Sequence, residues 1–261
     1  MTTTTILPGS IHDATSPPAT FTGIPFARLV QVEWSKATET RAARWLLVAL
    51  ATTTIGLMLV PILSPSTVDQ TYTSYLSYAA TALSILLPVV AILTLTSEWS
   101  QRTVLTTFTQ EPRRIRIISA KITVSLLLGA SAAIFGGLVT AAGLTAAAAT
   151  GRTLDANLDT GLVIAFLLYV LLNVMTGVAL GALVHNSSIA IVLSFALPIG
   201  FALLGRASQV VANWLDYTTA FTWLLNAEWS GHTVQILIAI LLWIAVPLAV
   251  GLVRTVRREI N

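Results

Sequence analysis

The sequence predicts an all-α integral membrane protein with six transmembrane helices and both termini on the cytoplasmic side. Of its 261 residues, 55% are hydrophobic and 10% are charged, and the mean hydropathy is +0.82. These values exclude an ordinary soluble globular domain. The chain also contains six apolar runs close to the roughly 20 residues that a bilayer requires. Finally, its basic residues collect in the segments that an even number of spans places on one side.

The N-terminal segment, residues 1–24, is expected to be a disordered tail. It is rich in Thr, Pro and Ser and has neither helical nor strand periodicity. It also lacks the basic and apolar regions of a secretory signal peptide. We therefore expect this tail to remain in the mature protein.

An amphipathic interfacial helix is predicted over residues 25–44. Phe26, Leu29 and Trp34 fall on one side of this helix at a period of 3.6 residues. Glu33 projects into the same apolar arc, where an unpaired carboxylate would be costly. We therefore expect Glu33 to have a partner, although a solvated Glu33 is the alternative.

The transmembrane domain is predicted over residues 45–261. Its third apolar run, of about 33 residues, is longer than a bilayer requires, so that helix should tilt or project beyond the lipid. Pro88 lies inside the second run and predicts a kink there. The six spans are expected at about 45–63, 74–96, 117–149, 161–184, 188–204 and 233–253.

The distribution of cations predicts the topology. With the N-terminus inside, twelve of the fourteen Lys and Arg residues fall in inner segments, and only Arg152 and Arg206 fall outside. Lys and Arg accumulate in cytoplasmic loops, so both termini are expected in the cytoplasm.

Several kinds of chemistry are missing from the sequence. Without cysteine there is no disulfide, thiolate metal site or cysteine nucleophile. The three histidines are scattered and lack metal-ligand spacing, so no metal site is predicted. The only lysines, Lys36 and Lys121, do not stand in a phosphate-binding loop, so the chain is not expected to hydrolyse ATP unaided. Because no Asp, Glu, Lys, Arg or His falls in the middle third of a span, an ion-coupled carrier is disfavoured.

Asn173 is the most polar side chain at membrane depth in these spans. It is a candidate for lining a translocation path, and the alternative is an interhelical hydrogen bond that holds the bundle together. Gly177 and Gly181 follow in the same span and form a Gly-x-x-x-Gly pair, which favours close helix packing.

The polar segment after the second span carries a motif in a defined order. Glu98 and Trp99 close the span, Arg102 and Thr103 follow, and a Pro-Arg turn and a lysine come later. This segment resembles the cytoplasmic loop of type-2 ABC exporter permeases, although many members have glycine where this chain has Arg102. The remaining residues of the match are Glu111, Pro112, Arg113, Arg114 and Lys121.

A second match lies before the first span. Glu33-Trp34-Ser35-Lys36, with Arg41 downstream, is similar to the elbow helix of bacterial members of that family. The short turn after Gly181, with His185 and Asn186, is similar to the family's turn between the fourth and fifth spans. The resemblance covers about residues 26–258.

The resemblance implies a permease subunit that is not itself an enzyme. It implies a coupling helix at about 97–112, a separate ABC ATPase subunit that binds ATP and Mg, and a second permease subunit, identical or homologous. This chain would bind no cofactor, contact membrane lipid but no nucleic acid, and reside in a bacterial cell membrane. The expected ATPase-coupling residues are Glu33, Lys36, Arg41, Glu98, Trp99, Arg102, Thr103, Glu111, Arg113 and Arg114.

Two other classes stay open at this point. One is an ATPase-independent channel or receptor-like membrane module, in which the basic loops serve only as topological anchors. The other is a membrane-embedded enzyme, which would need convergent polar groups at depth beyond Asn173 and scattered hydroxyls. An uncharged, apolar interior fits an amphiphilic or hydrophobic substrate.

Overall fold

A computed structural model describes residues 24–66, 68–100, 114–152 and 159–257, without the side chains of residues 98–100, 114, 256 and 257. The predicted tail lies outside these residues except for Ile24. Most of the predicted coupling helix also lies outside them, including Arg102, Thr103 and Glu111, and only its first residues belong to a described helix. The expected coupling residue Arg113 lies outside them as well.

The secondary structure of the described residues is helical. Six stretches are long and apolar enough to cross a membrane, which confirms an all-helical fold with six candidate spans. They are five single helices and a C-terminal run in which a π-helical turn joins two helices, the first of them kinked at His232. The elements are α1 (Phe26–Glu39), α2 (Arg41–Leu63), α3 (Tyr72–Ser100), α4 (Arg114–Ala148), α5 (Thr160–Val184), α6 (Ser187–Ala207), α7 (Gln209–Trp214), α8 (Tyr217–Leu225), α9 (Trp229–Ile240), the turn Leu241–Ala245 and α10 (Val246–Arg257).

The boundary between α1 and the first span differs from the predicted one. The prediction extended the amphipathic helix to residue 44, whereas the chain leaves helical geometry at Thr40, with φ −69° and ψ 148°. The hydroxyl of Thr40 then accepts a hydrogen bond from the backbone N–H of Ala43 at 3.2 Å and caps α2. Hydropathy could not locate this break, because Arg41 and Arg44 are equally compatible with either helix.

The centre of the bundle is the seam between α3 and α5. Buried apolar residues recur every three or four residues on α3 and every four residues on α5, so each helix presents one continuous stripe to the other. In the most hydrophobic stretch of α3, 72% of the residues are buried within the chain. The buried residues of the seam are Leu76, Ala80, Leu83, Leu87, Ala91 and Leu95 on α3, and Phe166, Val170, Val174, Val178 and Ala182 on α5.

Glycine allows α5 to approach its neighbours at backbone distance. A Cβ atom added to Gly177 would lie 2.4 Å from the carbonyl oxygen of Pro88 in α3, and one added to Gly251 of α10 would lie 2.4 Å from that of Ala182. Gly181 also lies against α3, where an added Cβ would meet Leu95 at 3.3 Å. Helix α5 is therefore tightly packed on two sides.

The segment between α6 and α9 folds back onto the bundle. Helix α8 buries Tyr217 and Phe221 in a cluster that includes Ile236 of α9 and is packed against by Tyr169 and Met175 of α5. The π-helical turn that joins α9 to α10 contains Trp243, whose indole N–H donates to the backbone carbonyl of Leu215 at 2.9 Å. The turn thereby connects the last span to the segment that precedes α8.

Helix α6 is covered least by the rest of the chain. Only 6% of its most hydrophobic stretch is buried, and its uncovered residues are large and apolar, including Ile189, Val192 and Ile199. In a membrane protein, such a surface faces lipid or another protein.

The α3–α5 crossing gives a stability test. Gly177→Ala should destabilise the chain by about 1–3 kcal/mol, because the new methyl group meets backbone that has no room to move. The matched control is Gly137→Ala in α4, where an added Cβ meets nothing within 4 Å. The control should be neutral or slightly stabilising, since alanine favours helix over glycine. Equal midpoints for the two variants in thermal unfolding, followed by circular dichroism in detergent, would contradict this account of the crossing.

Candidate functional site

A buried ion pair joins α1 to α4. Lys121 Nζ lies 2.6 Å from Glu33 Oε2, and the two side chains are only 4% and 6% exposed. The other carboxylate oxygen, Oε1, lies 2.7 Å from Nζ of Lys36, which is 44% exposed. The expectation that Glu33 has a partner is therefore confirmed, and its carboxylate is shared between a buried and a half-exposed ammonium group.

This ion pair lies where α1, α3 and α4 meet. Lys121 also donates to the backbone carbonyl of Thr94 in α3 at 3.4 Å. Ala37 of α1 packs in one buried apolar cluster with Val90 of α3 and Val124 of α4. The ammonium group thus reaches three helices from a site that is otherwise apolar.

The other expected coupling residues are only partly described. Arg41 is exposed in the first turn of α2, and Lys36 lies on the outer side of the ion pair. Glu98 and Trp99 belong to the last turn of α3 and Arg114 to the first turn of α4, but their side chains lie outside the described part. The ends of α3 and α4 therefore bring the two termini of the undescribed segment to the end of the bundle where α1 lies.

The turn between α5 and α6 is tied to this same end. His185 adopts a left-handed conformation, with φ 54°, and ends α5, and Asn186 caps α6 through the N–H of Ile189 at 3.1 Å. Nε2 of His185 lies 2.7 Å from Oγ1 of Thr255 in α10, and Ser187 Oγ lies 2.7 Å from Oγ1 of Thr96 in α3. His185 therefore has a structural role, because it ends α5 and joins the turn to α10.

One face of α3 differs from the other uncovered faces of the spans. Six of the twelve residues from 74 to 85 are buried. Of the six that are not, five carry a hydroxyl group, and we call these five the hydroxyl face. By contrast, most of the exposed residues of α2 and α6 are apolar. The hydroxyl face consists of Ser74, Ser77, Tyr78, Thr81 and Ser84.

Three of the five hydroxyl groups of this face are available chiefly as acceptors. Ser77 donates to the carbonyl of Ser74 at 2.6 Å, Thr81 to that of Ser77 at 2.8 Å, and Ser84 to that of Thr81 at 2.9 Å. Each donor is thus used within α3, while the oxygen atom keeps accepting capacity. The face is polar and carries no charge.

The hydroxyl face ends beside Asn173. The Tyr169 hydroxyl lies next to the side chains of Ser84 and Asn173, and the amide of Asn173, which is 7% exposed, donates to the backbone carbonyl of Tyr169 at 2.9 Å. Pro88 has no N–H to bond the carbonyl of Ser84, which keeps accepting capacity at this depth. Just beyond lies the close contact between Pro88 and Gly177.

The buried carboxylate of Asp216 has a structural explanation. It accepts hydrogen bonds from the N–H and hydroxyl groups of Thr218 at 2.9 and 2.6 Å, and from Thr219 at 3.2 Å, and so caps α8. Burial, together with the neighbouring charge of Asp216, raises the pKa of the Tyr217 hydroxyl, which stays protonated at neutral pH. Neither group is a candidate acid or base.

Sequence reasoning named Asn173 but missed two features of these sites. The spacing of Ser74, Ser77, Thr81 and Ser84 places them on one side of a helix, and this signal was available in the sequence. The pairing of Glu33 with Lys121 had no comparable signal, because the two residues are 88 positions apart. No cluster of three or more His, Asp or Glu residues suited to a metal ion occurs in the described ranges.

Comparison with known proteins assigns no family to this chain. No family model matches the chain, and no curated protein matches it.

The ion pair predicts an asymmetry between the two lysines. Lys121→Met should destabilise the chain by about 3 kcal/mol or more, because Glu33 is left as a buried charge with its closest partner removed. Lys36→Met is the control on the same carboxylate and should cost about 1 kcal/mol or less, since exposed ion pairs contribute little. Denaturant or thermal unfolding of both variants in the same detergent provides the comparison. Similar losses in the two variants would contradict the assignment of Lys121 as the buried partner.

Proposed function

We propose that this chain is the transmembrane permease subunit of an ATP-driven exporter related to type-2 ABC permeases. It forms half of a translocation path in a bacterial cell membrane, with both termini in the cytoplasm. A separate ABC ATPase subunit binds ATP and Mg and supplies the energy. The chain itself changes conformation and is not catalytic.

The observation that carries this proposal is the contact between Glu33 and Lys121. Two segments resemble the permease family independently of each other, namely the elbow around Glu33 and the loop that leads to Lys121. In the folded chain these two residues are partners at 2.6 Å. Such a contact supports the view that both segments belong to one cytoplasmic coupling region, with α1 as the elbow helix.

The hydroxyl face supports a transport role. A polar, uncharged surface on a membrane span is unfavourable against lipid tails and favourable along a path for a polar part of a substrate. Because the hydroxyl groups of Ser77, Thr81 and Ser84 act chiefly as acceptors, the face suits an amphiphile that carries uncharged N–H or O–H donors. Asn173 lies at the inner end of this path.

The uncovered α6 supports assembly with a second permease subunit. A subunit that forms only half of a path must leave part of its surface for the other half, and α6 is the span least covered within this chain. The second subunit is identical or homologous.

The energy source is tested by ATP hydrolysis. The purified chain alone should hydrolyse no ATP, whereas the complex isolated from native membranes should hydrolyse ATP and be inhibited by vanadate. Glu98→Gln and Arg102→Ala should lower substrate transport per ATP hydrolysed or dissociate the ATPase, with membrane insertion unchanged. Arg206→Ala, at the end of α6, is a control that should preserve coupling. Hydrolysis by the isolated chain, or nucleotide-independent flux through it, would favour an enzyme or a channel instead.

The path is tested by labelling introduced thiols, since the chain has no cysteine of its own. Ser77→Cys and Thr81→Cys should react at least about tenfold faster with a membrane-impermeant thiosulfonate than controls on lipid-facing positions, because the thiolate forms only where water reaches it. The controls are Ser131→Cys and Leu138→Cys, two uncovered positions of α4. Equal rates at all four positions would remove the hydroxyl face from the path.

A further inference from the structure

The first span begins with two unpaired arginines. Arg41 and Arg44 both lie in the first turn of α2, and both are exposed. This turn contains no acidic residue, and neither arginine forms an ion pair with a described residue, including the exposed Glu39. Cations at the N-terminus of a helix oppose the helix dipole. The arrangement is therefore locally unfavourable unless an anion lies beside it.

The two arginines stand at the end of an apolar surface on the same side of α2. Trp45, which is 75% exposed, lies directly beside them, and aliphatic side chains that are about half exposed follow at helical spacing. This surface is therefore charged at its end, amphipathic next to it and apolar beyond. We call it the α2 face, and it consists of Arg41, Arg44, Trp45, Val48, Ile55 and Leu59.

The length of α2 places its arginines at the depth of lipid headgroups. Residues 45–63 include no charged residue. At about 1.5 Å per residue they extend roughly 28 Å along the helix, which is close to the thickness of the hydrocarbon core of a bilayer. Trp45 then lies at the boundary of this core, where tryptophan is enriched. The guanidinium groups of Arg41 and Arg44 lie just outside it, at the level of the phosphates.

We infer that the α2 face binds an anionic phospholipid, with its headgroup on Arg41 and Arg44 and its acyl chains along Val48 and Ile55. Arginine binds phosphate through paired N–H donors, and anionic lipids attract basic residues next to a span. A soluble protein could match the charges but would leave the apolar part of the face uncovered. A second copy of the chain on a two-fold axis would bring like charges together. The inference does not depend on the proposed function.

Lipid selectivity beside this face can be measured in the full chain, which has no native cysteine. A fluorophore on Val48→Cys is quenched by nitroxide-labelled phosphatidylglycerol or phosphatidylcholine in bilayers of phosphatidylcholine. The relative binding constant should favour phosphatidylglycerol at least about fivefold, because each cation near an anionic lipid contributes a factor of roughly five. About 0.5 M salt should weaken this preference. A fluorophore on Leu138→Cys, an uncovered position of α4, should show a preference below about twofold.

Arginine variants test whether the selectivity belongs to this face. Arg41→Gln with Arg44→Gln should reduce the preference at position 48 to below about twofold. Arg28→Gln with Arg206→Gln removes the same net charge from two other exposed positions and should leave the preference unchanged. An unchanged preference in the first pair, or an equal loss in the second, overturns the inference.

Two further outcomes would also overturn it. If neither lipid quenches the label at position 48, another protein, such as a second copy of the chain, covers the face. If the first pair of variants loses the ATPase subunit but keeps the lipid preference, these arginines bind a protein instead. The lipid measurement uses the isolated chain, so its result stands whether or not the proposed function fails.

Discussion

The organisation of this protein depends on the cost of burying charge in apolar surroundings. In the described parts of the six candidate spans, Asp, Glu, Lys, Arg and His residues lie in the first or last turns, and Lys121 at the eighth position of α4 is the exception. Its burial is tolerated because a helix from outside the spans supplies a carboxylate at 2.6 Å. The position of α1 and the buried lysine of α4 therefore depend on each other. Hydropathy alone explains neither of them.

The same constraint shapes the interior. The uncovered part of α3 contains hydroxyl groups but no charge, and Asn173 and Tyr169 continue this neutral polarity at the level where α3 and α5 come closest. At that level Gly177 lets α5 touch the backbone around Pro88. The polar surface thus ends where the helices are packed most tightly, so a change in the crossing of α3 and α5 would extend or shorten it.

Much of the architecture was accessible from the sequence, because hydropathy and length identify spans without knowledge of their neighbours. The six spans and the amphipathic α1 were predicted, and the requirement for a partner of Glu33 followed from its place in an apolar arc. The identity of that partner was not predictable, because it depends on the packing of α1 against α4 across 88 positions. The hydroxyl face was not predicted for another reason. Ser and Thr in a span usually bond to the backbone of their own helix, so they indicate a polar surface only once the residues between them are known to be buried.

The π-helical turn at Leu241–Ala245 adds a consequence for the last span. Hydrogen bonds that close from i to i+5 hold more residues per turn than those of an α-helix, so everything after the turn is rotated relative to a regular continuation. The rotation lets α9 face α8 while α10 presents Gly251 to the backbone of Ala182. A straight α-helix of the same sequence would satisfy only one of these neighbours. The extra residue held in this turn thereby sets the alignment of the two halves of the span. A single deletion between 241 and 245 would return the turn to regular α-helix with both halves still aligned, whereas a single deletion elsewhere in the span would misalign one half of it even though its hydrophobicity would hardly change.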